Sequence, residues 1–155
     1  MSELIGRAAG LSRIPAGPFW LGWAGVLPFA AFAAASVAAA PLPIDPLPVL
    51  VGYGCVILSF MGGAQWGLAT RDPGGPVTRF AASVVPALVA WPALLLAPRL
   101  ALAVLIAGFA GLCAYDLWTV RKGGAPRWYG RLRLQLTAAV VLVLLAAFLA
   151  VPRTA

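Results

Sequence analysis

The chain has 155 residues, of which 63% are hydrophobic and 10% are charged, and its formal net charge is +7. Soluble domains are about half apolar and a quarter charged, so this composition indicates an integral membrane protein. Histidine is absent, the four acidic residues are scattered, and no phosphate- or dinucleotide-binding glycine motif occurs. These absences exclude the usual hydrolytic, metal and nucleotide sites, so we predict no enzyme, no metal site and no cofactor.

Five apolar runs follow one another, each close to the roughly 20 residues that a membrane-spanning helix needs. They cover about residues 19–40, 47–69, 77–97, 100–120 and 132–151, after a short N-terminal tail over 1–17. They are continuous and twice as long as the strands of a membrane β-barrel, so helices are favoured. The sequence therefore predicts an all-α, polytopic integral membrane protein, a single domain over 1–155 built as a five-transmembrane-helix bundle.

The first run also has features of a secretory signal peptide. Arg7 and Arg13 precede it, and the three alanines at 38–40 resemble a cleavage site. The run is longer than a signal-peptide core, however, and contains Trp20 and Trp23. We therefore expect it to be retained as the first span.

The basic residues indicate the orientation of the spans. Of the eleven Lys and Arg residues, all but Arg99 and Arg153 lie in the tail, after the second run, or around the connection between the fourth and fifth runs. Because cytoplasmic loops are enriched in Lys and Arg, the N-terminus is predicted to be cytoplasmic and the C-terminus outside. Anionic lipid head groups, rather than nucleic acid, are the expected counterpart of this basic rim.

Five of the six tryptophans lie at the same, cytoplasmic ends of the predicted helices: Trp20, Trp23, Trp66, Trp118 and Trp128. Interfacial tryptophan usually anchors a helix at the membrane surface. A site for a ring-bearing or lipid-like ligand is the alternative.

Asp116 is the one acidic residue inside an apolar run, and an acidic side chain there needs a partner. Arg131 or Arg133 at the start of the fifth run can pair with it and join the last two helices. The alternative is a proton-accepting or ligand-binding carboxylate. Gln65 and Gln135 are predicted at a similar depth, so a polar cluster on the cytoplasmic side is expected if these side chains meet.

Small residues recur every fourth position on two of the predicted helices, which allows close helix packing. The stripes are Cys55, Ser59, Gly63 and Gly67 on the second helix, and Ala103, Ala107 and Gly111 on the fourth. Packing within the bundle is expected, with self-association as the alternative.

Cys55 and Cys113 differ in predicted depth by roughly 9 Å, so we expect both to be free thiols.

Four segments together resemble a known family. They are 18–29 (PFWLGWAGVLPF), 53–67 (YGCVILSFMGGAQWG), 83–91 (SVVPALVAW), and Asp116 with 128–137 (WYGRLRLQLT). They resemble the domain-of-unknown-function 3429 family, the transmembrane protein 69-like proteins, in which histidine often stands where this chain has Gln65. The resemblance implies no particular activity. The family's spread from proteobacteria to mitochondria implies an energy-transducing membrane.

Two functional hypotheses follow for a multi-pass protein of the bacterial inner (cytoplasmic) membrane. The first is a non-enzymatic accessory or assembly subunit that packs against a larger membrane complex, for example a respiratory one. The alternative is a binder or carrier of a quinone, lipid or porphyrin in a cytoplasmic-side pocket. The candidate contacts are Trp20, Trp23, Gln65, Trp66, Asp116, Trp128, Arg131, Arg133 and Gln135. A proton-coupled transporter is less favoured, because only one acid lies within a span and no inverted repeat is evident.

Overall fold

The computed structural model of this chain describes residues 13–38, 43–72 and 74–151. Five α-helices account for most of these residues: α1 (Ala16–Val37), α2 (Pro46–Ala69), α3 (Val77–Ala93), α4 (Pro98–Arg121) and α5 (Arg127–Ala150). The all-α prediction is therefore confirmed over the described ranges. Four of the helices, α1, α2, α4 and α5, are long and apolar enough to cross a membrane.

Helix α3 is shorter than predicted, with 17 residues, and ends at Ala93 rather than near residue 97. The backbone tightens after Ala93, where the N–H groups of Leu94 and Leu95 donate to carbonyls three residues earlier. Ala97 is extended, as expected for a residue that precedes proline, so the helix cannot continue into Pro98. At 1.5 Å per residue α3 is about 26 Å long, against about 36 Å for a 24-residue helix.

The connection between α4 and α5 positions three of the candidate residues predicted from the sequence, Trp128, Arg131 and Arg133. Gly123 has φ 78°, a left-handed conformation that glycine adopts without steric cost. Pro126 is extended, and α5 begins at Arg127, five residues earlier than the apolar run suggested. This short connection makes α4 and α5 neighbours and places residues 127–131 on a helix instead of in a loop.

The helices pack in a closed ring in chain order, in which α5 returns to contact α1, and α2 also contacts α4 across the bundle. Six large apolar side chains are fully buried at the centre: Phe29, Leu50, Leu58, Leu102, Leu105 and Leu144. Because lipid is as apolar as leucine, such a core stabilises the bundle by close packing more than by removal of water.

Two predicted packing stripes do not lie where the sequence suggested. Gly63, Gly67 and Gly111 are exposed, and a Cβ atom built on any of them would meet no atom within 4 Å. The intramolecular prediction is thus wrong at these three glycines. Ala107 is also exposed, and Ala103 and Ser59 are half-buried.

Helices α2 and α4 approach their neighbours closely at other glycines. A Cβ at Gly62 would lie 2.5 Å from the backbone oxygen of Ser83, and one at Gly108 would lie 2.7 Å from Leu58. Each residue turns a helix by about 100°, so a shift of one position moves a glycine to another face. Repeated spacing predicted that a face of small residues exists but not which face meets a neighbour.

Both cysteines are buried and free, as predicted.

Candidate functional site

One end of the bundle collects the start of α1, the α2–α3 connection and the α4–α5 connection, and we call it the basic end. Its exposed cationic side chains are Arg13, Arg71, Arg121, Lys122, Arg127 and Arg131. At the opposite end Arg99 donates to the backbone oxygen of Val151 at 2.8 Å and lies over the ring of Phe148. The predicted charge asymmetry is therefore present in the folded chain over the described residues.

A buried polar cluster lies just inside the basic end, centred on Asp116. Asp116 is 0% exposed. One oxygen, Oδ1, accepts from Gln65 Nε2 on α2 and from the Tyr129 hydroxyl on α5 at 3.2 Å. The other, Oδ2, accepts from Nε of Arg133, also on α5. The cluster therefore links α2, α4 and α5.

The local sequence explains this geometry. Tyr129 and Arg133 are four residues apart, so they share one face of α5. Gly130 lies between them, and a Cβ there would already be 3.3 Å from Val120 on α4. The absence of a side chain at Gly130 allows the two helices to approach closely beside the cluster.

The cluster is electrically neutral as an ion pair. An isolated carboxylate in an apolar interior is strongly unfavourable, but Arg133 is also buried and compensates Asp116. Of the two pairings expected for Asp116, the structure contains the one with Arg133. Arg131 is two residues away, roughly 200° around the helix, and is exposed.

The other six predicted contacts lie outside the cluster. Gln135 is exposed on the same outer side of α5 as Arg131, and Trp20 is 69% exposed. Trp66 packs edge-on against Phe80 at the surface. Trp23 and Trp128 are half-buried. The nine candidates therefore do not form one pocket, and only Gln65, Asp116 and Arg133 meet.

Tyr129 is the residue that sequence reasoning missed. The spacing of four residues between Tyr129 and Arg133 was the available signal. Using it required the knowledge that α5 begins before residue 129.

Two hydrogen-bond donors beside the cluster have no partner. Besides Nε1 of Trp23 on α1, the described residues have two buried side-chain donors that make no hydrogen bond, Nη2 of Arg133 and Oγ1 of Thr137. They are one turn apart on α5, and both residues line a cavity of about 120 Å³. The rest of its lining is apolar and comes from α1, α2, α4 and α5: Leu21, Gly22, Gly25, Val26, Phe29, Ile57, Phe60, Met61, Phe109, Leu136 and Val140.

This arrangement offers hydrogen-bond donors to a molecule in the cavity. Arg133 and Thr137 can donate hydrogen bonds into the cavity, and the nearby carboxylate of Asp116 already accepts from three donors. Across the described ranges, no three His, Cys, Asp or Glu side chains group closely enough to hold a metal ion.

The fold and its buried ion pair define a polytopic helical membrane protein. The profile of a family described as "Protein of unknown function (DUF3429)" matches residues 14–149, and the chain belongs to this family. The resemblance found in the sequence is thus confirmed.

The chain is also similar to "Transmembrane protein 69" of Xenopus tropicalis, with 34% identity over 152 aligned residues. The alignment covers 90% of this chain and 56% of that protein, so the chain spans little more than half the length of this curated relative. No solved structure matches the chain.

Proposed function

We propose that this protein is a non-enzymatic membrane protein that binds a small hydrophobic molecule in the cavity beside Arg133. The observation that carries the proposal is the buried Nη2 of Arg133, which lacks a hydrogen-bond partner although its residue lines a cavity. A buried donor without a partner costs about 1–3 kcal/mol, more when it is charged, and a ligand acceptor would remove this cost.

The cavity suits such a ligand in size and polarity. A cavity of about 150 Å³ in another protein binds benzene, so about 120 Å³ accommodates a group of roughly one ring. A quinone ring or the ester region of a lipid fits this volume, whereas a porphyrin macrocycle is several rings wide. An apolar lining with a few converging polar groups is typical of small-molecule sites.

The charge balance favours a neutral ligand. Asp116 already neutralises Arg133, so an added carboxylate would bring an uncompensated charge into the bundle. A neutral carbonyl oxygen can instead accept from Arg133 Nη2 and the Thr137 hydroxyl without adding charge. A quinone or an ester therefore matches the site better than a fatty acid.

Two leucine variants on α1 test the proposal. Gly25 lines the cavity, and a Cβ there would meet its nearest atom only at 3.9 Å, so the side chain of Gly25→Leu can fill part of the cavity. Gly17→Leu is the matched control, because Gly17 is exposed with nothing within 4 Å. The chain is purified in mild detergent and bound molecules are identified by mass spectrometry. We expect the wild type and Gly17→Leu to retain a neutral apolar molecule and Gly25→Leu to lose it; equal retention in both variants would refute the site.

An accessory or assembly role in a larger membrane complex, such as a respiratory one, is the second candidate. Its support is the outward-facing small residues of α2 and α4, because small side chains let another helix approach closely in lipid. A groove of about 470 Å³ between α3 and α4 includes two of them, Ala107 and Gly111. Native mass spectrometry in mild detergent tests this role, and a chain that always migrates alone would exclude it.

The proposed topology has five spans, with the basic end on the cytoplasmic side of the bacterial inner membrane and the C-terminus outside. Its support is the length of α3, which at 17 residues meets the shortest span that a bilayer accepts, and the basic asymmetry of the two ends. In a chain whose two cysteines are replaced by alanine, Lys122→Cys should react with an impermeant thiol reagent only after cells are opened. Ala97→Cys, at the other end, should react in intact cells. The reverse pattern would overturn the orientation.

A further inference from the structure

We propose that the groove between α4 and α5 at the basic end binds one anionic phospholipid, with its phosphate on three arginines. The groove has a volume of about 430 Å³ and is lined by Leu117, Val120, Arg121, Arg127, Gly130, Arg131 and Leu134. It is separate from the cavity beside Arg133 and does not depend on that proposal.

The three arginines are free to bind an anion. All are exposed, and none forms an ion pair with an acidic residue among the described ranges. Asp72 pairs with Arg79, and Asp116 pairs with Arg133. Guanidinium groups bind phosphate oxygens through paired N–H donors, so the groove carries the chemistry of a phosphate site.

The start of α5 adds to this preference. Helix α5 has no acidic residue in its first turn and no side-chain cap, and it begins with Arg127. Positive side chains at a helix N-terminus add to the positive end of the helix dipole. A bound phosphate would offset both.

The polarity of the groove changes with depth as a phospholipid requires. Arg121 and Arg127 lie at the helix ends. From the rise of 1.5 Å per residue, Arg131 and Leu117 lie about 6 Å further into the bundle, and Leu134 lies about 10 Å in. The charged half therefore meets the head-group region and the apolar half meets the acyl chains. A soluble phosphate would use only the first half, so we commit to a lipid.

Two variants of equal charge test the site in the full chain. The groove variant is Arg121→Gln/Arg127→Gln/Arg131→Gln, and the matched control is Arg13→Gln/Arg71→Gln/Lys122→Gln. All six residues are exposed at the basic end, and the control residues do not line the groove. Each variant removes three positive charges, so general attraction to an anionic membrane falls equally in both.

The measurement is native mass spectrometry of lipid adducts after incubation with equal amounts of phosphatidylglycerol and phosphatidylcholine. We expect the wild type and the control to retain one phosphatidylglycerol. The affinity of the groove variant for it should fall by roughly tenfold or more, about 1.4 kcal/mol. Arg131→Gln alone should give an intermediate loss, which keeps the test informative if the triple variant does not fold.

Three results would overturn the proposal. Equal losses in the groove and control variants would mean attraction by charge alone. Unchanged retention in the groove variant would mean that the lipid binds elsewhere. Displacement by millimolar inorganic phosphate would indicate a phosphate site without a lipid component.

Discussion

Replacement of Arg133 by methionine should destabilise the bundle, because it leaves the buried carboxylate of Asp116 without its positive partner. Gln65 and the Tyr129 hydroxyl would still donate to Asp116, but neither carries a charge. Loss of one member of a buried ion pair costs about 3–5 kcal/mol in soluble proteins. In a bilayer the unfolded chain also finds partners for its polar groups, so we expect the lower end, about 3 kcal/mol.

A second substitution separates loss of charge balance from loss of contacts. In the Asp116→Asn/Arg133→Met double variant no buried charge remains, and the asparagine oxygen can still accept from Gln65 and Tyr129. Because replacing a whole buried pair by neutral groups is often nearly neutral, we expect a loss of about 1 kcal/mol relative to the wild type. The double variant should therefore be more stable than Arg133→Met alone by about 2 kcal/mol.

The assay is unfolding of the detergent-solubilised chain by titration with sodium dodecyl sulfate, followed by circular dichroism. The free energies of the wild type, both single variants and the double variant form a double-mutant cycle. If the loss in the double variant equals the sum of the losses in the two single variants, the two residues act independently and the ion-pair argument is refuted.

Two further predictions use neighbouring residues as their controls. Gly62→Ala should destabilise by about 1 kcal/mol or more, because its Cβ would lie 2.5 Å from a backbone oxygen, whereas Gly63→Ala should be neutral or stabilising. Equal effects of the two variants in the same unfolding assay would mean that Gly62 does not lie on the packing face of α2. Tyr129→Phe removes a hydrogen bond to Asp116 and should cost about 1.5 kcal/mol, while Arg131→Ala should stay within about 0.5 kcal/mol. Equal stability of the Tyr129 and Arg131 variants would contradict the described cluster.

Local sequence features were sufficient to predict the class of fold and most helix positions. Continuous apolar runs of about 20 residues specify helices in a bilayer, because every backbone polar group must be paired within its own segment. The same reasoning failed at the end of α3 and the start of α5. Hydropathy does not register the tightened backbone after Ala93, nor a helix that begins with the polar residues 127–131.

The candidate site was predictable only in part. Asp116 stood out because an acidic side chain within an apolar run must be compensated. Arg133 was one of its two expected partners, and Gln65 was expected at a similar depth. Hydropathy could not choose Arg133 over Arg131 or add Tyr129. It also gave no indication of the unpartnered donors of Arg133 and Thr137 or of the cavity that they line.

What the sequence by itself determined is the membrane environment, the helical class, the concentration of basic residues at one end and the need to compensate Asp116. These properties depend on which residues follow one another along the chain. Only the tertiary structure decided that Gly62 rather than Gly63 contacts α3, and that Arg133 rather than Arg131 contacts α4. The physical reason is that each residue turns a helix by about 100°, and the rotation of each helix about its own axis is determined by the packing of all five together.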